Sequence, residues 1–354
     1  MDLETARTRA GYAPLYIHIG AKKVGSTTIQ AFLRDHQAAL ARAGIIYPEI
    51  GRVALGHHHQ LALGFRDGDP KKSTPLWHRL RQLRQATPPD QRVVVSSEMF
   101  QALKPEAVER IRRIAGDGPV RILFYIRDLA GTVVATYSQR TKAGTNLRDF
   151  DQFFARYVER IAERRAEVAR LWSQVFGADN VRVRALHPET LVGGDLMEDL
   201  LHTLGSSLAA LGVEQVGRKN VSPGWKMNET IRAAWQALRP HAADDARLSP
   251  RFVQAIDAAA SDPRVAGERG EYLTLEQRRI CDELTAKLAA EIGSLQSDSR
   301  IIIPPGPETR ERGFLPTFEQ VSKLEAVHIM AEISAVLLAR AGKLQAAETE
   351  DEDG

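Results

Sequence analysis

The feature that most constrains the fold is the immediate succession of an apolar run, a glycine-bounded loop and an amphipathic helix near the N-terminus. Leu15–Ile19 (LYIHI) is short and apolar, which predicts a buried strand, and Gly20–Ser26 forms the loop. From Thr27 the apolar residues recur at helical spacing, and Gly44 is typical of a helix end. A strand, a loop and a helix in this order are the first unit of an α/β fold.

Further strands and helices alternate along the chain. The nearly continuous apolar runs that predict strands are Arg92–Ser97, Val120–Ile126 and Asn180–Leu186. Helical spacing predicts helices at Pro105–Ala115, Thr132–Lys142, Phe150–Phe176, 195–212 and 224–238. Apolar runs of this kind are expected when both faces of a parallel sheet are covered. We therefore predict a three-layer α/β fold, with a central, mostly parallel sheet flanked by helices.

The composition narrows the class of protein. Hydrophobic residues make up 43% of the 354 residues and charged residues 26%, which is typical of a globular chain. No stretch approaches the ~20 apolar residues of a membrane span, and the first residues lack the apolar core of a secretory signal. Cys281 is the single cysteine, so no internal disulfide can form and the simplest interpretation is a cytoplasmic protein.

Charge is distributed unevenly along the chain. The net charge is +3, but the last ten residues carry five acids and no base, so the rest sums to +8. A mildly basic body suits an anionic ligand. The lysines and arginines are scattered and do not alternate with aromatic residues, so we expect no nucleic-acid partner.

The C-terminal third contains only helical and loop patterns, and it ends in an amphipathic segment, Phe318–Leu344. Its apolar stripe comprises Leu324, Val327, Ala331 and Leu338, with Val321 one turn earlier. This stripe either packs against its own domain or forms the face of a homodimer. We predict a flexible leader at 1–12, an α/β domain at 13–300, a helical extension at 301–344 and an acidic disordered tail at 345–354.

The loop after the first strand has the features of an anion cradle. Backbone N–H groups of the turn and of the first helical turn converge on one point, where the helix dipole adds positive potential. Gly25 allows a ligand to approach the backbone closely. The cations and hydroxyls that we expect around a bound phosphate are Lys22, Lys23, Ser26, Thr27 and Thr28.

The spacing of this loop is close to a Walker A loop, but one position differs. A Walker A lysine follows the second glycine, where this chain has Ser26, and the nearest lysine lies upstream at Lys23. A nucleoside triphosphatase also needs a strand-end acid for Mg²⁺, and no predicted strand ends directly in Asp. Glu98 could serve in that role, so a kinase or NTPase with a rearranged lysine stays open as an alternative.

Tyr16–Leu33 (YIHIGAKKVGSTTIQAFL) resembles the 5′-phosphosulfate loop of the sulfotransferase family. In that family a Lys-x-Gly-[ST]-[ST] run follows the first strand. The residues that match it are Lys23, Gly25, Ser26 and Thr27, and the following Ile29-Gln30 is typical of a bacterial branch. That branch usually has Pro before the lysine and Thr or Ser after it, where this chain has Lys22 and Val24.

Val120–Gly144 resembles the family's 3′-phosphate-binding block, in which an arginine follows a strand and a serine lies on the next helix. Arg127 matches the arginine. The serine position holds Ala135, and Thr136 is adjacent to it. The basic pair Arg218-Lys219 resembles the turn that clamps the 3′-phosphate in cytosolic members.

The resemblance implies a P-loop-type fold and a specific reaction. It implies transfer of a sulfuryl group from 3′-phosphoadenosine 5′-phosphosulfate (PAPS) to a hydroxyl or amine of a small-molecule or carbohydrate acceptor, with no metal required. Lys23 would neutralise the departing bridging oxygen. A catalytically degenerate nucleotide-binding protein is a further alternative, motivated by Val24 and Ala135.

The general base has two candidate sources. Glu98 follows a predicted strand, where α/β proteins build their ligand crevice. The run Gly56–Gln60 contains His58 and His59, and imidazole titrates near neutral pH. Consecutive histidines point in different directions, so the run makes a poor single metal site. Glu98, His58 and His59 all remain candidates.

Overall fold

The computed structural model describes the chain in several stretches: 11–214, 224–238, 255–256, 258–259, 270–295, 303–304 and 311–334. Contacts divide the chain into two compact units, which we describe separately. The first unit comprises Met1–Leu129, Ile161–Gly217 and Asp282–Gly306, and the second comprises Ala130–Arg160, Arg218–Cys281 and Pro307–Gly354. The domain boundaries given above stay predictions.

The described part of the first unit is built on a five-stranded, all-parallel sheet with the strand order β2-β3-β1-β4-β5. The strands are β1 (Leu15–His18), β2 (Ile45–Ile46), β3 (Arg92–Ser96), β4 (Val120–Ile126) and β5 (Val181–Ala185). In the central strand, Ile17 is paired with Val95 on one side and with Ile122 on the other. All three side chains are fully buried, as expected for a sheet covered on both faces.

Helices connect and flank these strands. In chain order before β5 they are α1 (Ser26–Asp35), α2 (Gln37–Arg42), α3 (Gln60–Arg66), α4 (Pro70–Ala86), α5 (Pro105–Ala115), α6 (Leu129–Lys142) and α7 (Phe150–Phe176). Beyond β5 follow α8 (Leu196–Thr203), α9 (Leu208–Leu211), α10 (Trp225–Leu238), α11 (Leu275–Ser294) and α12 (323–334). The predicted α/β class with a parallel sheet flanked by helices is confirmed.

Some elements differ from the prediction. The helix expected from Thr27 to Gly44 is divided at His36, whose φ of −110° and ψ of 22° lie outside the helical range. Strand β2 has only two residues, and α4 contains Pro75 and few apolar residues, so neither produces a clear periodic signal.

Buried polar contacts hold the base of the sheet. Arg84 of α4 is fully buried, and its guanidinium donates to the carbonyls of Ala13, Ala115 and Pro119 at 2.6–3.0 Å. These contacts connect α4 to the residues that precede β1 and β4. These contacts fix the amino ends of β1 and β4. The loops at the opposite, carboxyl end of the sheet are not involved in them.

The second unit has its own small apolar core. The buried residues of this core are Met227, Ile231, Ala255, Ile256, Ala259, Ile329 and Ile333. In α12, Ile329 and Ile333 face inward, whereas Leu324 is 79% exposed and Val327 is 66% exposed. Of the two predicted alternatives, packing within the chain holds for Val321, which is 6% exposed, and is wrong for Leu324 and Val327. Leu338 lies outside the described residues, and the homodimer stays a prediction.

Among the described helices, none combines the length and the apolar character that crossing a bilayer requires.

Candidate functional site

The candidate site lies at the carboxyl end of β1. After β1 the chain moves toward one edge of the sheet to form β2. After each of the neighbouring strands, β3 and β4, it moves toward the opposite edge. Right-handed crossovers then place the helix after β1 on one face of the sheet and the helices after its neighbours on the other. A crevice opens where such connections diverge, and parallel sheets bind ligands there. We call Ile19–Gly25 the β1 loop, and it lies in this position.

The β1 loop is tied to the neighbouring strand at its start and bends sharply at its end. Ala21 N–H donates to the carbonyl of Tyr125 at 2.8 Å. Lys23 has a φ of 69° and Gly25 a φ of 82°, which are both left-handed. For a residue with a side chain this conformation costs on the order of 1 kcal/mol. Because of its positive φ, Gly25 occupies a conformation that favours glycine, and a Cβ there would also displace the end of the Leu196 side chain, 2.6 Å away.

Helix α1 begins directly after the loop and presents its free N–H groups there. The first helical hydrogen bond runs from Ile29 N–H to the Gly25 carbonyl at 3.0 Å. The N–H groups of Ser26, Thr27 and Thr28 precede it, and the first N–H groups of any α-helix have no acceptor within the helix. Gly25 at the N-cap has no side chain that could accept from them. These donors therefore favour an anion at this point.

The side chains around the helix start add to this preference. The Ser26 hydroxyl donates to the Ala21 carbonyl at 3.0 Å and closes the loop on itself. Lys22 and Thr27 are exposed, and Lys23 and Thr28 are half-buried. The sequence of the first turn contains no acid. The predicted cradle residues of the β1 loop and of the first turn of α1 are thus brought together at one end of the sheet.

Glu98 follows β3 and lies against the β1 loop, since a Cβ on Gly20 would be 3.4 Å from Glu98 Cβ. Gln30 Nε2 donates to Glu98 Oε2 at 2.9 Å, and His59 Nε2 lies 3.4 Å from Glu98 Oε1. Burial by itself raises the pKa of Glu98, but the hydrogen bonds from His59 and Gln30 outweigh it and lower the pKa to about 2. The side chain is 22% exposed, so this carboxylate is ionised and accessible.

His59 is held on three sides. Its Nδ1 lies 2.8 Å from Ser97 Oγ, and its ring stacks on His57 with centroids 3.5 Å apart. Its backbone stands at the N-cap of α3. The His59 side chain keeps 16% of its surface exposed, whereas Ser97 is completely buried. Ser97 therefore reaches a substrate only through His59.

His58 is placed differently from its neighbour. It is fully buried, its Nε2 lies 2.8 Å from the Pro48 carbonyl, and its Nδ1 accepts from Ser96 N–H at 3.3 Å. Burial lowers the pKa of His58 to about 4, so the ring is neutral at physiological pH. Both nitrogens are engaged with backbone, and the ring connects the end of β3 to the segment before α3.

Arg127 follows β4 at the same edge of the sheet as the β1 loop. Its Nε lies 3.4 Å from Asp128 Oδ2, and 30% of its side chain is exposed. Thr136, in the second unit, donates its hydroxyl to the Thr132 carbonyl of its own helix at 2.7 Å. Arg218 and Lys219 lie outside the described residues.

Gln30 and His57 were missed as site residues by sequence reasoning. Gln30 stood out only as part of the Ile-Gln pair after the loop, and its position one turn beyond Ser26 could have suggested an inward-facing amide. The stacking of His57 on His59 depends on the bend of the backbone and leaves no signal in the sequence.

Comparisons with protein-family models, with curated proteins and with solved structures gave no match to this chain. Within the described part of the chain, no group of three or more His, Cys, Asp or Glu side chains is arranged to hold a metal ion. The function therefore has to be inferred from the chemistry of the site residues themselves.

Proposed function

We propose that this chain is a PAPS-dependent sulfotransferase with a P-loop-type fold. The observation that carries the proposal is the position of Lys23, in a left-handed turn of the β1 loop three residues before Ser26, where α1 begins. The strand order, with β1 at its centre, supports the P-loop type. Arg127 at the end of the adjacent strand supplies a second cation at the same edge.

The residues present fit the anionic donor. The N–H groups of Ser26, Thr27 and Thr28 and the hydroxyls of Thr27 and Thr28 would hold the 5′-phosphate, with Lys22 adding positive charge. Arg127 would hold the 3′-phosphate, and the roles of Thr136, Arg218 and Lys219 stay predictions from the sequence.

The bound donor supplies an activated sulfuryl group, whose sulfur–oxygen bond to the 5′-phosphate breaks as the acceptor oxygen or nitrogen bonds to sulfur. Lys23 stabilises the electron pair that the bridging oxygen retains. Glu98 accepts the proton that the acceptor loses, and a positioned base of this kind contributes ~10²–10⁴-fold. His59 stays in contact with Glu98 throughout.

The main competitor is a P-loop kinase or NTPase, in which Glu98 would ligate Mg²⁺. Gln30 and His59 each direct a nitrogen toward one oxygen of Glu98, and this occupies the carboxylate with donors instead of a cation. Ser26 also stands where the Walker lysine belongs. Both observations favour sulfuryl transfer.

Ligand preference and labelled transfer test the proposal together. We expect 3′,5′-ADP to raise the melting temperature, ATP with Mg²⁺ to leave it unchanged, and ³⁵S from PAPS to reach an acceptor in a panel of carbohydrates, small hydroxyl compounds and amines. Stabilisation by ATP with Mg²⁺ alone would support the kinase. Binding of 3′,5′-ADP with no transfer to any acceptor would support the degenerate nucleotide-binding protein.

Lys23→Ala tests the central residue. We expect transfer to fall by ~10²–10³-fold, as for the loss of one preorganised transition-state donor, with a much smaller loss of 3′,5′-ADP affinity. Lys72→Ala on α4 is the matched control, because its exposed ammonium lies outside the site and pairs with Asp69. Equal transfer rates in the two variants would reject the role of Lys23.

Arg127→Ala tests the 3′-phosphate contact. Loss of a charge-assisted hydrogen bond should weaken 3′,5′-ADP by roughly 10- to 100-fold and leave 5′-AMP unaffected. If calorimetry shows both nucleotides weakened to the same degree, Arg127 does not recognise the 3′-phosphate.

The proposal extends to the location and the oligomeric state of the chain. We propose a cytoplasmic location, because the chain has one cysteine and so forms no internal disulfide. A homodimer through the exposed face of α12 is proposed on the exposure of Leu324 and Val327.

A further inference from the structure

The contacts of His59 restrict where its ring carries a proton. On one side Nδ1 lies 2.8 Å from Ser97 Oγ, and on the other Nε2 lies 3.4 Å from Glu98 Oε1. A neutral imidazole has one N–H donor and one acceptor, and its neighbours decide which nitrogen is which.

The buried hydroxyl of Ser97 needs a hydrogen-bond acceptor. Its hydroxyl oxygen already accepts Met99 N–H at 3.2 Å, and the side chain is completely buried. The hydroxyl hydrogen therefore needs a partner within the protein, because an unmade buried hydrogen bond is costly. Among the described residues, Nδ1 of His59 is the acceptor placed for it. Nδ1 is then the unprotonated nitrogen.

The ionised carboxylate of Glu98 needs a hydrogen-bond donor from His59. Its carboxylate carries no hydrogen, so a contact with His59 Nε2 is favourable only if Nε2 bears the proton. The constraint from Glu98 and the constraint from Ser97 select the same tautomer. Stacking on His57 keeps the ring oriented so that both contacts persist.

We infer that Ser97 is a positioning residue that acts through His59, holding the imidazole as the Nε2–H tautomer so that His59 donates to Glu98 and Glu98 takes the acceptor's proton. The catalytic part of this inference rests on the proposed function, whereas the tautomer does not. It decides between the candidate bases in favour of Glu98. It also explains why a fully buried serine hydroxyl points at the ring.

Nitrogen-15 NMR of the full chain, at a pH where the ring is neutral, tests the tautomer without any substrate. The His59 signals are assigned by their loss in His59→Gln. We expect protonated-type Nε2 and unprotonated-type Nδ1 in the wild type, and a mixture of tautomers in Ser97→Ala. A protonated Nδ1 in the wild type, or an unchanged tautomer in Ser97→Ala, would overturn the inference.

The pKa of the Glu98 carboxyl, followed by carbon-13 NMR, measures the positioning effect. In Ser97→Ala the donor on Glu98 is present for less of the time, so burial should raise this pKa by up to roughly one unit. Ser97→Thr keeps the hydroxyl and should restore the wild-type value. If the Ser97→Ala pKa equals that of the wild type, Ser97 is structural only, and the inference fails.

Two substitutions of His59 distinguish whether its ring acts as a hydrogen-bond donor to Glu98 or as the general base. The amide nitrogen of Gln can occupy the place of Nε2, whereas that of Asn lies nearer the place of Nδ1. We expect His59→Gln to keep transfer within about tenfold of the wild type and His59→Asn to lose more than that, because only the glutamine retains a donor for Glu98. Equal, severe losses in both would make His59 the base and overturn the inference. If the wild type transfers no sulfate, the proposed function fails while the NMR result still decides the tautomer.

Discussion

Glu98 in the first unit and Glu229 in the second are chemically identical side chains in opposite circumstances. Glu98 lies at the end of β3 with 22% of its side chain exposed, whereas Glu229 lies in α10 with none exposed. Among the described residues, each carboxylate has two side-chain partners. Those of Glu98 are Gln30 and His59, and those of Glu229 are the hydroxyl of Tyr137 at 2.7 Å and the guanidinium of Arg232 at 2.6 Å.

Burial is the largest influence on both carboxyls, and it raises both pKa values. In Glu98 the hydrogen bonds from His59 and Gln30 prevail and the pKa falls to about 2. In Glu229 burial prevails over the attraction of Arg232, and the pKa is raised. Accessible surface together with a stabilised charge thus characterises a carboxylate available to a substrate, whereas complete enclosure characterises one that holds the fold together.

The largest expected effect is on catalysis by Glu98→Gln. We expect sulfate transfer to fall by ~10²–10⁴-fold, because the amide cannot take the acceptor's proton. The melting temperature should also fall moderately, because the lowered pKa of Glu98 means that its charge stabilises the fold, and the amide nitrogen of glutamine would face one of the two donors. Rates from labelled PAPS and a thermal melt measure the two quantities. A variant that melts far earlier but transfers normally would assign Glu98 the structural role instead.

The matched change, Glu229→Gln, should produce the reverse pattern. It leaves the guanidinium of Arg232 buried without its counter-charge, which costs about 3–5 kcal/mol of unfolding free energy. The folded fraction should transfer sulfate at the wild-type rate. Urea unfolding followed by circular dichroism measures the loss, and a change below about 1 kcal/mol would mean that the two glutamates do not differ as described.

Gln30→Leu tests how donors lower the pKa of Glu98. Without the amide, burial raises that pKa, so protonation begins at a higher pH. Because only the ionised carboxylate accepts a proton, the acid limb of the kcat/KM profile should move upward by roughly one pH unit. An acid limb at the wild-type position would show that Gln30 has no electrostatic effect on Glu98.

The smallest expected effect is that of Tyr137→Phe. It removes one hydrogen bond to Glu229 while the ring keeps its edge-to-face contacts with Phe150 and Phe153. We expect a loss of about 1 kcal/mol in urea unfolding and no change in the transfer rate. A lower transfer rate in the folded fraction would connect this buried network to catalysis.

The strength of the periodic signal decided how well each element was predicted. Val120–Ile126, Pro105–Ala115 and Phe150–Phe176 have the predicted bounds, because each is a long, uninterrupted pattern. Helix α3 with seven residues and α4 with its internal Pro75 were missed, since neither has a regular apolar face. The sequence left two roles open for the stripe at the C-terminal helix, because helical spacing alone does not say which side meets the core, and the structure buries Val321 but exposes Leu324 and Val327.

The candidate site divides in the same way. The β1 loop with Lys23 and Gly25 was predictable, because a glycine-bounded turn between a buried strand and a helix specifies its own geometry through local backbone preferences. The contact of His59 with Ser97 joins residues 38 positions apart. No local pattern encodes such a contact.

By itself, the sequence determined the strand, the loop and the helix start at which an anion can bind, because these depend on local periodicity and on glycine. The tertiary structure decided which histidine of the 57–59 run meets Glu98 and which is sealed against Pro48. The physical reason is that successive side chains point in different directions. Only the packing of α3 and the end of β3 determines which of them reaches the carboxylate.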